Sequence, residues 1–289
     1  MWTLCKTILL MTLLLACNPP QKPLKIAANQ WVGYTPLFYA NEKGWLQEDG
    51  FSLKFVSSLS ESLNLFNTHS VDIMTSTQYE YSIAKRQNSN IVPVLLFDRS
   101  NGGDMILSNH SISILSQNTQ VDVYLEQASI NSLLLDDFIK KHHLNPKNLI
   151  LHEANPLDLK QLKPKSDKAI LIITYAPYHL PLLQRGFNIV ASTKTLQSLL
   201  VLDFLCTDKL LLTEEYSRFQ KLKKRIDDAI SISQKDPKMY YSVVKPYLGG
   251  SSFQNFIQDI DSIQWTNTPS PKLLKAIEAH GIDIRNILR

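Results

Sequence analysis

Trp31 and Tyr34 flank Gly33 directly after the apolar run 24–28, and Thr35 and Pro36 follow at once. A threonine fits the N-cap of a helix, and a proline fits its first position, where the missing N–H costs nothing. Gly44 suits the left-handed residue past the end of that helix. The spacing therefore predicts a strand, a turn carrying two rings, and a helix start, all at the carboxyl end of the strand. In open α/β sheets, ligands bind at that edge. Rings can cover a flat or apolar ligand body, and the free N–H groups of a helix start can hold an anion. The opposing reading makes Trp31 a core ring and Tyr34 a packing residue of the first turn. The glycine between them gives the turn backbone freedom and favours the cleft.

Other polar side chains fall at similar places. Ser57 and Ser58, then Thr75, Ser76 and Thr77, follow predicted strands, and Ser129 and Asn131 open a predicted helix. Each can cap the helix after it, and a capped helix start can also hold a ligand. The loop 98–104 reads Asp-Arg-Ser-Asn-Gly-Gly-Asp. Asp98 is expected to hold backbone N–H groups there. Arg99, its one cation, either clamps an acidic ligand or faces solvent.

Catalytic signatures are scarce. The chain has no Gly-x-Ser-x-Gly, no His-Glu-x-x-His, no P-loop and no dinucleotide fingerprint. His142 and His143 are adjacent at a helix end, so their side chains diverge. His69, His152 and His179 lack a metal-ligand spacing. The expectation is a protein that is not an enzyme, with no cofactor and no metal.

The elements that must position these residues alternate. Strands are predicted at 51–56, 71–74, 91–97, 105–108, 121–125, 149–152, 169–174 and 188–191. A capping box at Ser58 and Glu61 starts a helix with Leu63, Leu65 and Phe66 inward, and a further helix runs from about 78 to 86. In the second half, helices are predicted at 127–142, 157–162 and 178–185, and a helical tail at 214–235, 237–247, 253–259 and 271–280. This predicts an α/β fold of two units, each a mixed, mostly parallel sheet with helices on both faces.

The first residues read as a leader. Lys6 precedes the apolar stretch 7–16, which is too short to span a bilayer, and Leu14-Leu15-Ala16 leads to Cys17. We expect a signal peptide at 1–16 and a lipidated Cys17, followed by a polar tether at 17–23. Cys5 leaves with the leader, so no internal disulfide is expected, and Cys206 in its apolar run reads as a small core residue. The formal net charge of +4 is mild and no basic stripe is interleaved with aromatics, which argues against nucleic acid. The densest basic run, Lys221, Lys223, Lys224 and Arg225, shares a helix with the apolar side Tyr216, Phe219, Leu222, Ile226 and Ile230, and reads as a solvated face.

The run 25–46 resembles the opening of substrate-binding proteins of the nitrate, sulfonate and taurine transporter family, a group related to thiamine-pyrimidine binders. Segment 98–104 is similar to the family's aspartate-rich hinge, 127–131 to its serine loop, 174–178 to its threonine-tyrosine turn, and 200–205 to its return strand, with Asp203 at the family's aspartate position. Ala176 stands where many relatives carry glutamate, and Gly103 where many carry alanine.

The resemblance implies a two-lobed type II periplasmic binding protein, with 24–108 plus 200–289 as lobe I and 109–199 as lobe II. The lobes would be hinged near 108–120 and 192–202. It implies a membrane-anchored monomer on the periplasmic or extracellular face that hands a small sulfonate, taurine, nitrate or pyrimidine-type solute to the permease of an ABC importer. The alternatives on the same fold are a sensing module for a membrane receptor and an enzyme. The family's pyrimidine-forming enzyme uses a cysteine-rich motif absent here. The implied ligand residues are Trp31, Tyr34, Ser58, Thr75, Ser76, Thr77, Asn101, Gly102, Asp104, Ser129, Asn131, Tyr175 and Asp203. Two rings and few cations favour an organic ligand with a flat or apolar body.

Overall fold

The computed structural model describes residues 22–165, 167–196 and 199–289. The expected leader and Cys17 lie outside the described residues. In chain order the strands are β1 (Leu24–Asn29), β2 (Phe51–Val56), β3 (Ile73–Thr77), β4 (Ile91–Ser100), β5 (Asp104–Ser108), β6 (Val121–Leu125), β7 (Leu149–Glu153), β8 (Ala169–Tyr175), β9 (Asn188–Ser192), β10 (Leu202–Asp208) and β11 (Ile263–Trp265). They form two sheets, ordered β11-β4-β10-β3-β1-β2 and β7-β6-β8-β5-β9. The central strands β3 and β8 are buried at every position, as a sheet covered by helices on both faces requires.

The chain crosses between the sheets twice. It leaves β4 through Asn101–Gly103 into β5, and leaves β9 through 193–201 into β10. In each sheet the strand that receives the chain runs antiparallel to both neighbours. β5 opposes β8 and β9, and β10 opposes β3 and β4. β1, β2 and β3 pair in parallel, as do β7, β6 and β8. The two crossings are tied together. Thr193 Oγ1 lies 2.8 Å from Ser100 Oγ and accepts from the Gly102 N–H at 2.7 Å. The Ser262 carbonyl accepts from the N–H groups of Asn101 and Gly103, at 2.8 and 3.1 Å. Gly102 has φ +125°, a conformation that L side chains rarely adopt.

The first crossing comes earlier than the expected 108–120. Residues 104–108 belong to the second sheet, and Ile112–Gln117 is a helix beyond it. Period-two alternation marks a strand but carries no information on which sheet it joins.

Apolar faces of the helices complete the cores. Helix Leu59–Asn67 buries Leu59, Leu63 and Phe66, and helix Tyr216–Lys235 buries Phe219, Leu222, Ile226 and Ile230. Tyr216, expected on that apolar side, is exposed, and Lys223 is buried against Asp227 instead. Cys206 is buried, as expected of a core residue. One apolar cluster runs across both units, joining Trp31, Phe38 and Phe97 to Ile130, Tyr175 and Tyr178, so the lobes are closed on one another.

Candidate functional site

The turn after β1 is one short 3-10 turn, Val32–Tyr34, leading into helix Thr35–Glu42. Tyr34 takes the N-cap position expected of Thr35, whose hydroxyl turns back to the Val32 carbonyl at 2.8 Å. The Trp31 indole N–H donates to Asp98 Oδ2 at 3.3 Å, and the Tyr34 hydroxyl donates to Asp203 Oδ1 at 2.5 Å. From the other lobe, the Tyr175 ring meets Trp31 edge-on at 5.9 Å, and its hydroxyl accepts from Asn29 Nδ2 at 2.9 Å. Two glycines make room for this packing. A Cβ at Gly33 would collide with the Asp98 carboxylate and the Trp31 ring, and a Cβ at Gly103 would collide with the far edge of the same ring. That contact accounts for glycine at 103.

Three helix starts face this region, and each already has a carboxylate. Glu80 closes a capping box with Thr77, its Oε2 accepting from the Thr77 N–H at 2.8 Å. Its Oε1 accepts from the Ile130 N–H, at the start of helix Ile130–His142 in the other lobe, at 2.9 Å. Glu126 works in reverse, its Oε1 accepting from the Ser60 N–H of helix Leu59–Asn67 at 2.7 Å. Glu61 takes the N–H and hydroxyl of Ser57, at 2.7 and 2.6 Å. Thus each lobe sends a carboxylate into a helix start of the other. The expectation that such starts offer N–H donors to an anion is altered accordingly, because the donors are in use.

Glu80, Asp98, Asp104, Glu126 and Asp203 are each no more than 4 % exposed. Among the described residues no ion pair reaches any of them. Loss of water favours the neutral form of a buried acid, and neighbouring acids add to the effect. Burial pushes Asp104 up to about 6 and Glu126 up to about 7. Burial also raises Glu80, Asp98 and Asp203, and the charge of Asp98 raises Asp203 further. Burial, then the Asp203 charge, lifts the Tyr34 phenol. Asp98 Oδ1, Asp104 Oδ2, Glu126 Oε2 and Asn29 Oδ1 have no hydrogen-bond partner among the described residues. No group of three or more His, Cys, Asp or Glu there is arranged to hold a metal ion.

Of the residues singled out in the sequence, Trp31, Thr77, Asp104, Tyr175 and Asp203 border one space between the lobes, together with Asn29 and Leu59. That space is about 10 Å³, room for about one water at most. Tyr34 sits behind it on Asp203. Ser58 and Ser129 cap helices, accepting from the N–H groups of Glu61 and Asn131 at 3.1 and 3.3 Å. Thr75 and Asn131 are buried, with the Thr75 hydroxyl and both Asn131 amide atoms unpartnered among the described residues.

Ser76 is elsewhere. Its hydroxyl lies 3.3 Å from Cys206 Sγ, on the opposite face of β3 from Thr75 and Thr77. Asn101 and Gly102 form the crossing turn. Arg99 is exposed and borders a surface groove with Leu200 and Trp265. Asp98 holds the Trp31 indole, where backbone N–H groups were expected. Sequence reasoning missed Asn29, Glu80, Glu126 and Tyr178. Thr77 and Glu80 do carry the spacing of a capping box, but nothing in the sequence marks the reach of Glu126 to Ser60.

Residues 31–239 match the model of the NMT1/THI5 like family. The chain belongs to this family. Among curated proteins, none matches the sequence. Solved structures resemble this family member over most of its length. The ligand-binding component of an ABC-type import system from Staphylococcus aureus, with zinc bound, aligns at a TM-score of 0.71 and 14% identity, covering 93% of this chain and 97% of that one. The periplasmic aliphatic sulphonate binding protein SsuA from Escherichia coli aligns at 0.71 and 13%, covering 91% of each chain. The periplasmic nitrate-binding protein NrtA from Synechocystis aligns at 0.64 and 10%, covering 82% and 70%. At these identities the likeness concerns the fold, which is the mixed α/β architecture of periplasmic binding proteins.

Proposed function

We propose that this chain is an extracytoplasmic solute-binding lipoprotein of an ABC importer. It captures a small solute between its lobes and presents it to a membrane permease. The observation that carries this reading is convergence. Asn29, Trp31, Thr77 and Asp203 from one lobe meet Asp104 and Tyr175 from the other around one space, and among the described residues two tied crossings join the sheets. Two crossings between rigid units act as a hinge, and a solute shifts the population by its extra affinity for one form. Because the closed space is so small, a solute enters only when the lobes part and the rings move aside. The solved neighbours named above are binding proteins, which supports a role without turnover. Cys17 at the end of the leader supports a lipid anchor, and among the described residues no helix is long and apolar enough to cross a membrane.

A thermal-shift screen of the purified chain, followed by solution scattering with each hit, tests the reading. A solute at a hundred times its dissociation constant adds about 2.7 kcal/mol of stability. The radius of gyration should change on binding, and the solute should be recovered unaltered. A tight hit that leaves the shape unchanged, or returns as a different compound, contradicts it. For the anchor, Cys17→Ser should leave the domain folded and remove it from the detergent phase. Absence of palmitate labelling in the unsubstituted protein would refute lipidation.

A further inference from the structure

We infer that the cleft selects a small organic cation, a molecule with N–H donors on a positively charged head and a flat or apolar body. This deepens the proposed function and rests on the same cleft being the solute site.

Asn29, a residue with no exposed surface, borders the interlobe space, and its Oδ1, a neutral acceptor, has no partner among the described residues. Asp104 borders the same space, and its Oδ2 is likewise without a partner among the described residues. A buried acceptor left unpaired is costly, and these sit where a solute would arrive. What they lack is a donor.

Charge points the same way. The carboxyls of Asp104 and Asp203 border the space, that of Asp98 adjoins them, and no basic side chain forms an ion pair with any of them among the described residues. The nearest loop cation, Arg99, is turned out to a surface groove. In the closed form the donors that an anion would use are committed, since Glu126 occupies the start of helix Leu59–Asn67 and Glu80 that of helix Ile130–His142. At mildly alkaline pH a sulfonate or nitrate entering here would face the Asp104 carboxylate with no countercharge. An ammonium or amidinium head would supply both the charge and the donors, and the Trp31 and Tyr175 rings suit a cation and a flat body alike. The groups are not arranged as a metal site, which leaves an organic head as the fit.

The test uses three probes with one ring and different heads: benzamidine as cation, benzyl alcohol as neutral, benzenesulfonate as anion. Calorimetric titration of the purified chain at mildly alkaline pH should rank benzamidine tightest, by about tenfold over benzyl alcohol, with benzenesulfonate weakest. Asp104→Asn, isosteric and uncharged, should cost benzamidine about tenfold without lowering the unfolding midpoint of the free protein. Asp203→Asn should act in the same direction, and Asp158→Asn on the exposed surface should change nothing. Equal or tighter binding of the neutral or anionic probe, abolished by Trp31→Ala, overturns the cation and leaves the solute-binding cleft standing. Failure of all three probes to bind, or binding indifferent to both Asp104→Asn and Trp31→Ala, overturns the cleft as well.

Discussion

Helix Tyr216–Lys235 and the interlobe cleft both concentrate charge, and they resolve it in opposite ways. On the helix Arg218, Lys223, Lys224 and Arg225 each meet an acid. Lys223 pairs with Asp227 at 2.5 Å, Lys224 with Asp228 at 2.7 Å, and Arg225 with Asp49 and Glu48 at 2.8 and 3.0 Å while its guanidinium lies over the Trp45 ring. Even the buried Lys223 keeps its partner. In the cleft, five carboxyls are more deeply buried and none has a cation among the described residues. A buried charge without a partner opposes folding. The chain pairs charges on the helix and leaves the cleft carboxyls without a countercharge where the two lobes meet. Their acceptors partly serve the protein itself, as Glu80 and Glu126 latch the lobes, and partly point into the space a solute would fill.

The largest expected effect sharpens that contrast. Glu80→Ala removes the acceptor of the Thr77 and Ile130 N–H groups, and each orphaned buried donor costs about 1–3 kcal/mol. Urea unfolding should show a loss of that order. Glu126→Ala, which orphans one part-buried backbone N–H, that of Ser60, should lose less. If Glu80→Ala unfolds at an unchanged midpoint, the interlobe latch is absent in solution.

Next comes pH. The folded-state values of Asp104 and Glu126 are raised to about 6 and about 7. Groups raised in this way contribute stability that is full below the ordinary carboxyl range and is lost as pH rises through the folded values. The free protein should therefore lose stability as pH rises from about 4 to about 7, by about 2–3 kcal/mol for Asp104 alone, with the share of Glu126 lost on to about pH 8. Asp104→Asn should flatten that loss, leaving the variant no less stable than the parent at the alkaline end. A parent whose stability rises over the same range would break the comparison. The smallest effect belongs to the paired surface. Lys224→Ala should stay within about 0.5 kcal/mol, and a larger loss would show that the surface pairs also bear on stability.

How much of this was legible depends on distance along the chain. The Trp31–Tyr34 turn, the cap at Gly44 and the capping roles of Ser58 and Ser129 are local, and their residue types announce them. The α/β alternation is equally local. What the sequence hides is which residues from distant segments meet. Glu126 reaches Ser60 and Glu80 reaches Ile130 only because the lobes close, and no spacing rule encodes that. Ser76 looks like its neighbours Thr75 and Thr77, yet the pleat turns it to Cys206. β11 is three residues long and exists by pairing with Asp98–Ser100 of β4, too short for a periodic pattern. Asn101 and Gly102, expected among the ligand residues, form the turn of the first crossing, and nothing in their local sequence marks which sheet the chain joins next.

The central claim, that the cleft acids stand unpaired until a cation arrives, is tested most directly by carbon-13 NMR titration of the aspartate and glutamate carboxyls, in the free protein and with saturating benzamidine. The account predicts that Asp104 and Glu126 titrate near 6 and 7 in the free protein. The added cation should draw Asp104 back toward or below its ordinary value. Asp104 titrating in the ordinary carboxyl range in the free protein, or unmoved by the bound cation, would contradict it.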